Sequence, residues 1–197
     1  MKTGLLIAGV IFGLFVLFII GGVLGYVSWS NDANAFEADI PAQYQEMKNV
    51  YDNGWKDVME EAQVPQNMAD DMKAVWQAAL TGRYGANGSQ AVLQFIKEQN
   101  PTLDPTIYRK VQERIEAFHA TFAGAQTKII AEKQSYQKYV FATTSGRFYN
   151  MIGNYPHIHC GVPAGTADDY AILTSDKTET DFKRHKADAL DLRPKKN

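Results

Sequence analysis

Cysteine is all but absent from this chain. Cys160 is the only one, so no disulfide can form within a copy, and thiol content neither supports nor excludes an oxidising compartment. Net charge is equally scarce. The formal balance is −2, and the basic residues gathered near the C-terminal end are too few to hold a duplex, which excludes nucleic acid as a partner. No segment alternates convincingly in the two-residue period of a strand. The glycines of Gly82 to Gly88 lack both a preceding strand and a Gly-Lys-Ser/Thr ending, so they read as a helix–helix connection and not as a phosphate cradle.

Charge is missing altogether from Gly4 to Val27, an uninterrupted run of apolar residues and glycine. About 20 such residues cross a bilayer core, so the run spans with some tilt. Tyr26 and Trp29 follow where an interfacial aromatic belt belongs. Ala33-Asn34-Ala35 resembles a signal-peptide cleavage site, but the run is longer than the roughly 7–15 apolar residues of a signal core, so a retained single-pass anchor is expected. Lys2 lies before the span, and Asp32, Glu37 and Asp39 lie after it. The positive-inside rule then puts the amino terminus in the cytoplasm and the large domain outside. Gly9-x-x-x-Gly13 and Gly21-x-x-x-Gly25 have helix-dimerisation spacing. The two pairs point about 120° apart, and glycine is common in membrane helices, so the spacing alone assigns no dimer.

Beyond the anchor the strongest pattern runs from Asp104 to about Val140. Asp104-Pro105 reads as an N-cap with proline at the first helical position. Tyr108, Val111, Ile115, Phe118, Phe122, Ala125, Ile129, Tyr136 and Tyr139 then recur at three- and four-residue steps, interrupted only by Glu132. This predicts a helix of roughly 50 Å at 1.5 Å per residue. A second stripe, Tyr44, Met47, Tyr51, Trp55, Val58 and Ala62, predicts a helix that starts at Asn31-Asp32 or at Pro41 and stops at Pro65. Gly54 inside it costs about 1 kcal/mol relative to alanine and implies close packing or a bend. Met68, Met72, Val75, Trp76 and Ala79 mark a third helix; Ser89 caps a fourth with Val92, Phe95 and Ile96 inside, stopped at Asn100-Pro101. Short connections make neighbours antiparallel. The expected fold is therefore all-α: a transmembrane helix followed by an elongated antiparallel bundle of three long struts, the middle one broken in two. The expected divisions are a flank at 1–3, the anchor at 4–27, the bundle at 28–156 and an extended or partly disordered tail at 157–197. Tyr170, Ile172 and Leu173 are the tail's apolar cluster.

The one chemically suggestive cluster is His157-x-His159-Cys160. Imidazole and thiolate are good zinc or copper ligands, but a structural site wants four, and His185 or Asp168 would have to complete the set. Three ligands on four consecutive positions do not converge on one ion without an unusual backbone, so neither a metal nor another cofactor is expected. Nor does Cys160 beside His159 have an orienting third group or an oxyanion site. Glu116-x-x-His119 has the spacing of a di-metal helix ligand pair but no second copy, so His119 reads as a boundary or core residue. Glu113, Glu116 and Glu132 read as helix-flank carboxylates, with Arg109 a partner for Glu113. No catalytic residue is assigned.

Val64-Pro65 after the first soluble helix, Tyr136-Gln137-x-x-Val140, Tyr149-Asn150 and Tyr155-Pro156 together resemble the motif series of the LemA family. The likeness covers the anchor to Pro156. The chain departs from that pattern in Glu60-Glu61, where the family carries basic residues, in a Trp55 that lies close to the proline, and in extra residues between Val140 and Tyr149. The resemblance implies a four-helix, membrane-anchored domain of the bacterial envelope with no assigned enzymatic activity. The expected role is structural or interactive, at the inner membrane with the domain on the periplasmic or extracellular side. Self-association or another envelope protein would supply its contacts. Two other readings use the same features: a spanin-like viral factor that links or disrupts membranes through a parallel coiled coil, and an envelope receptor using His157 to Cys160.

Overall fold

A computed structural model describes residues 2–80, 88–102 and 104–173. The protein is mostly helical. Among the described residues there is no strand, only an isolated antiparallel bridge between Cys160 and Asp168.

Helix α1 runs without a break over Lys2–Glu61, with Pro41 inside it. The restart expected at Asn31-Asp32 or at Pro41 does not occur. Proline in a helix interior forfeits one hydrogen bond and crowds the preceding turn, at about 3 kcal/mol. Here the buried stripe passes straight through that position: Trp29, Ala33, Ile40, Met47, Trp55, Val58 and Ala62 keep three- and four-residue steps or their sums. Tertiary burial on both sides of the proline outweighs its local cost. The N-terminal part is long and apolar enough to cross a membrane, and none of its most apolar stretch is buried. At its other end α1 stops before Pro65 is reached. Gln63 takes a left-handed φ of 53°, its N–H donates to the Glu60 carbonyl, and the Val64 N–H donates to that of Met59, each at 3.0 Å. That is a Schellman turn built without glycine.

After a 3₁₀ turn at Gln66–Met68 come α2 (Ala69–Leu80), α3 (Gly88–Gln99), α4 (Pro105–Gln137), a π-helical turn at Lys138–Ala142 and α5 (Thr144–Gly153). Of the expected Gly82–Gly88 connection, all but Gly88 lies outside the described residues; Gly88 begins α3. Asp104 caps α4 as expected, its carboxylate accepting from the Thr106 N–H at 2.7 Å, which holds its pKa below the ordinary value. Thr143 caps α5 in the same way: its backbone is extended and its hydroxyl accepts from the Gly146 N–H at 3.0 Å. The run Thr143 to Gly146, a poor helix former by composition, is thus a helix start. Asn154, left-handed at φ 52°, ends α5.

The chain packs as two compact units, neither contiguous in sequence. One joins Met1–Gln45 to Thr127–Ala171; the other joins Glu46–Gln126 to Ile172–Asn197. In the second unit the seam of α4 is buried at Val111, Ile115, Phe118, Phe122 and Ala125. Trp76 of α2 lies 4.6 Å from Phe118, ring centre to ring centre, and Tyr51 of α1 lies 6.1 Å from Phe122. Gly54 is buried against Phe118, and a Cβ there would collide with that ring. The glycine therefore serves close packing. Glu61 lies 3.9 Å from both Lys110 and Arg114, so one of the two acids that depart from the family pattern takes basic partners on α4. His119 is exposed on α4 with its ring against Phe118, and partial burial lowers its pKa, so it sits at the boundary and not in the core.

Candidate functional site

The first unit holds a concentration of rings just past the apolar run of α1. Trp29, Ala33, Ile40, Tyr136, Val140, Tyr155, Cys160 and Val162 are buried together. Trp29 is the hub. It stacks on Tyr139 at 5.9 Å with planes 8° apart, meets Tyr155 edge-on at 5.2 Å and lies 5.8 Å from Tyr149. A belt tryptophan would stand at the lipid surface; this one is 4% exposed. Burying its indole among four rings recovers both apolar area and quadrupole contacts.

The phenol hydroxyls in this cluster end on polar side chains of α1. Tyr136 donates to Glu37 at 2.5 Å, Tyr139 to Asp32 at 2.8 Å, and Tyr155 to Asn34 at 2.7 Å, with Ser30 Oγ 2.8 Å from the Tyr155 oxygen. Ser30, Asn34 and Glu37 recur at four- and three-residue steps, so one polar stripe runs beside the apolar stripe of Trp29, Ala33, Phe36 and Ile40. Burial, and then the bond to Glu37, pushes the Tyr136 phenol well above its ordinary pKa; burial and Asp32 push Tyr139 up to about 12. Both hydroxyls stay protonated donors across the physiological range.

Glu37 is the keystone of this lock. Its side chain is 9% exposed; it accepts from the Tyr136 hydroxyl and from the His157 backbone N–H at 2.6 Å, and the His157 Nδ1 lies 3.2 Å away. The His157 Nε2 lies 3.0 Å from the Gly153 carbonyl. Both neighbours of the ring are acceptors, so it donates to each only when both nitrogens carry protons. Farther along the same segment, Lys133 of α4 bonds both oxygens of Asp168 and the Tyr170 carbonyl, each at 2.7 Å, and Tyr170 packs edge-on against Tyr44. The stretch from Tyr155 to Ala171 is irregular in backbone yet tied down, by Cys160 and Val162 in the core and by these polar clasps.

The three candidate ligands diverge. His157 turns to Glu37, His159 lies 3.5 Å from the exposed Asp169, and Cys160 is buried with its thiol pKa raised, burial being the main cause. Such a thiol stays protonated and unreactive. Asp168 is engaged by Lys133, and His185 lies outside the described residues. Among the described residues no group of three or more His, Cys, Asp or Glu is placed to hold a metal ion. In the second unit a groove lies between Asn53, Gly54, Asp57 of α1 and Arg114, Phe118, Thr121 of α4; it carries one acid and one base.

Sequence reading placed Glu37 only as a charge after the span, and Asp32 as such a charge and as a possible helix start. For Glu37 a signal was present in the three- and four-residue spacing of Ser30, Asn34 and Glu37 beside the apolar stripe; Asp32 lies off that row and is exposed. No protein-family model, no curated protein and no solved structure matches the chain.

Proposed function

We propose that the protein is a non-enzymatic, single-pass membrane protein of the bacterial envelope, holding a helical bundle on the outer side of the inner membrane for contact with copies of itself or another envelope component. One observation carries this reading: the exposed apolar run of α1 continues without a break into the segment bearing every acceptor of the aromatic lock. A cleaved leader has no use for structure across its cleavage site. Cutting at Ala33-Asn34-Ala35 would remove Trp29 and the Ser30 and Asp32 partners and leave the remaining rings without their hub. Retention is the reading that keeps the core whole.

An antiparallel order of helices is supported by residue pairs in which α1 numbers rise as α4 numbers fall: Tyr51 with Phe122, Gly54 with Phe118, Glu61 with Arg114 and Lys110. Because the chain's own rings fill the α4 seam, the seam is not free to zip a parallel coiled coil, which favours the bundle over a spanin-like bridge.

The test is expression of the full chain in bacteria, followed by intact mass, alkaline carbonate extraction and protease treatment of spheroplasts. The uncleaved mass, retention in the membrane pellet and digestion of the domain in intact spheroplasts are expected. A mature form beginning at Phe36, or a domain protected until lysis, would overturn the anchor or its orientation. Its mass in detergent then reads self-association directly.

A further inference from the structure

Helix α5 carries two faces with different fates. Tyr149 and Gly153 turn to α1: the Tyr149 hydroxyl occupies the space a Cβ on Gly25 would need, its ring lies 5.9 Å from Tyr26, and the Tyr26 hydroxyl reaches Gly153. Phe148, Met151 and Ile152 sit at three- and four-residue spacing on another face and are 61%, 86% and 65% exposed. Three large apolar side chains on a ten-residue helix make a continuous stripe, not the scattered exposure normal for a surface.

Where α5 is fastened decides what covers that stripe. Gly25 and Tyr26 belong to the last turn of the apolar run ending at Val27, so at 1.5 Å per residue α5 is attached within about 3 Å, along the axis, of the run's end. At this level α1 itself exposes Val23, Leu24 and Val27. The stripe of α5 is thus level with, and continuous in character with, the apolar surface that the anchor turns to lipid. Tyr26 and Tyr149, half-buried between the two helices, are residues suited to a headgroup boundary.

We infer that α5 is an interfacial helix: Phe148, Met151 and Ile152 insert into the outer edge of the leaflet from which α1 emerges, giving the protein a second membrane contact beside its anchor. The inference rests on the anchor reading above. A short helix with one apolar face lies in the interface plane and not across the bilayer. Fastened through Gly25, it fixes the rotation and tilt of α1 at the membrane, which a lone anchor leaves free.

The experiment uses the full chain in phosphatidylethanolamine–phosphatidylglycerol vesicles, with an environment-sensitive fluorophore on Met151→Cys or, separately, Leu14→Cys. Cys160 is buried, and the parent protein gives its labelling background. The probe at position 151 is expected to shift to the blue, lose most of its emission to lipids with a nitroxide near the headgroup, and resist aqueous iodide. The probe at position 14 is expected to respond most to nitroxides deep in the acyl chains. Adding Phe148→Ser and Ile152→Ser should expose the 151 probe to iodide and leave the position-14 probe unchanged. A 151 probe open to iodide, or one shielded from iodide and lipid nitroxide alike because a second copy or the chain's own residues cover it, overturns the inference while a deep position-14 probe keeps the anchor. A water-exposed position-14 probe overturns the anchor reading itself.

Discussion

The two packing units make their cores from different materials. The Glu46–Gln126 unit is filled by Phe118, Phe122, Trp55, Trp76, Met72, Ile96 and Ile115, mostly apolar volume, with the Trp55 indole N–H donating to Asp52 at 3.1 Å. The Met1–Gln45 and Thr127–Ala171 unit is built from tyrosines around Trp29, each buried phenol ending on a chosen residue of α1. Apolar packing tolerates substitution so long as volume is kept. A buried hydroxyl tolerates one register only, because a slip by a single position strands both donor and acceptor. The unit that contains the apolar run is the one whose register is set by polar bonds. Those bonds define the rotation of α1 against the rings it meets.

The comparison can be broken or sharpened by four substitutions, followed by amide exchange so that each unit reports separately. Phe122→Ala should cost about 3–5 kcal/mol, the loss of a buried phenyl ring, and should loosen α2 and α3 first. A loss under about 1 kcal/mol would place the ring at the surface and unmake the apolar unit as described. Tyr136→Phe keeps the ring and removes only the hydroxyl that meets Glu37; about 1.5–3 kcal/mol is expected, with faster exchange in α5 and around Tyr155. If this variant is as stable as the parent, the polar-locked unit is held by area alone, like the other.

Gly54→Ala should destabilise the apolar unit by up to about 2 kcal/mol: overpacking against Phe118 costs about 1–3 kcal/mol, and the better helix propensity of alanine returns about 1. A stabilised variant would mean that the Phe118 ring yields freely. The smallest effect has the opposite sign. Glu132 interrupts the α4 seam half-buried, and its pKa is raised by burial and then by the charge of Asp39. The folded state holds that proton more tightly than the unfolded chain, so stability rises as pH falls toward 4.5. Glu132→Gln should therefore stabilise the protein at neutral pH by less than about 1 kcal/mol, since the group is largely solvated. The advantage should vanish below pH 4.5, as thermal melts across that range would reveal. An unchanged pH profile would remove Glu132 from the seam.

Much of the helical layout was legible because period is a local property. Every seam residue from Val111 to Ala125 is buried, and the Asp104 cap forms as its residue types require. Pro41 misled because its penalty is local and the burial that outweighs it is not. Thr143 to Gly146 shows that weak helix formers in a row can serve as a cap, with Thr143 accepting from the Gly146 N–H. Of the candidate site, the ring residues were readable as a core stripe and as family-like motifs, but their hydroxyl partners were not. Nothing in a one-dimensional pattern says that Tyr136 is opposite Glu37, 99 residues away.

Residue order alone determined that this chain is helical, carries an uncharged apolar run near its N-terminus and has no strand-like alternation, since hydropathy and propensity act over one or two turns. Tertiary structure decided that Trp29 is a hub and not a belt residue, that Glu37 gathers Tyr136 and His157, that His157, His159 and Cys160 part company, and that α5 is fastened at Gly25. Each of these depends on which side chains meet across long sequence separations. Such meetings are set by the packing of whole helices, where the desolvation of a single carboxylate or indole is weighed against every neighbour at once.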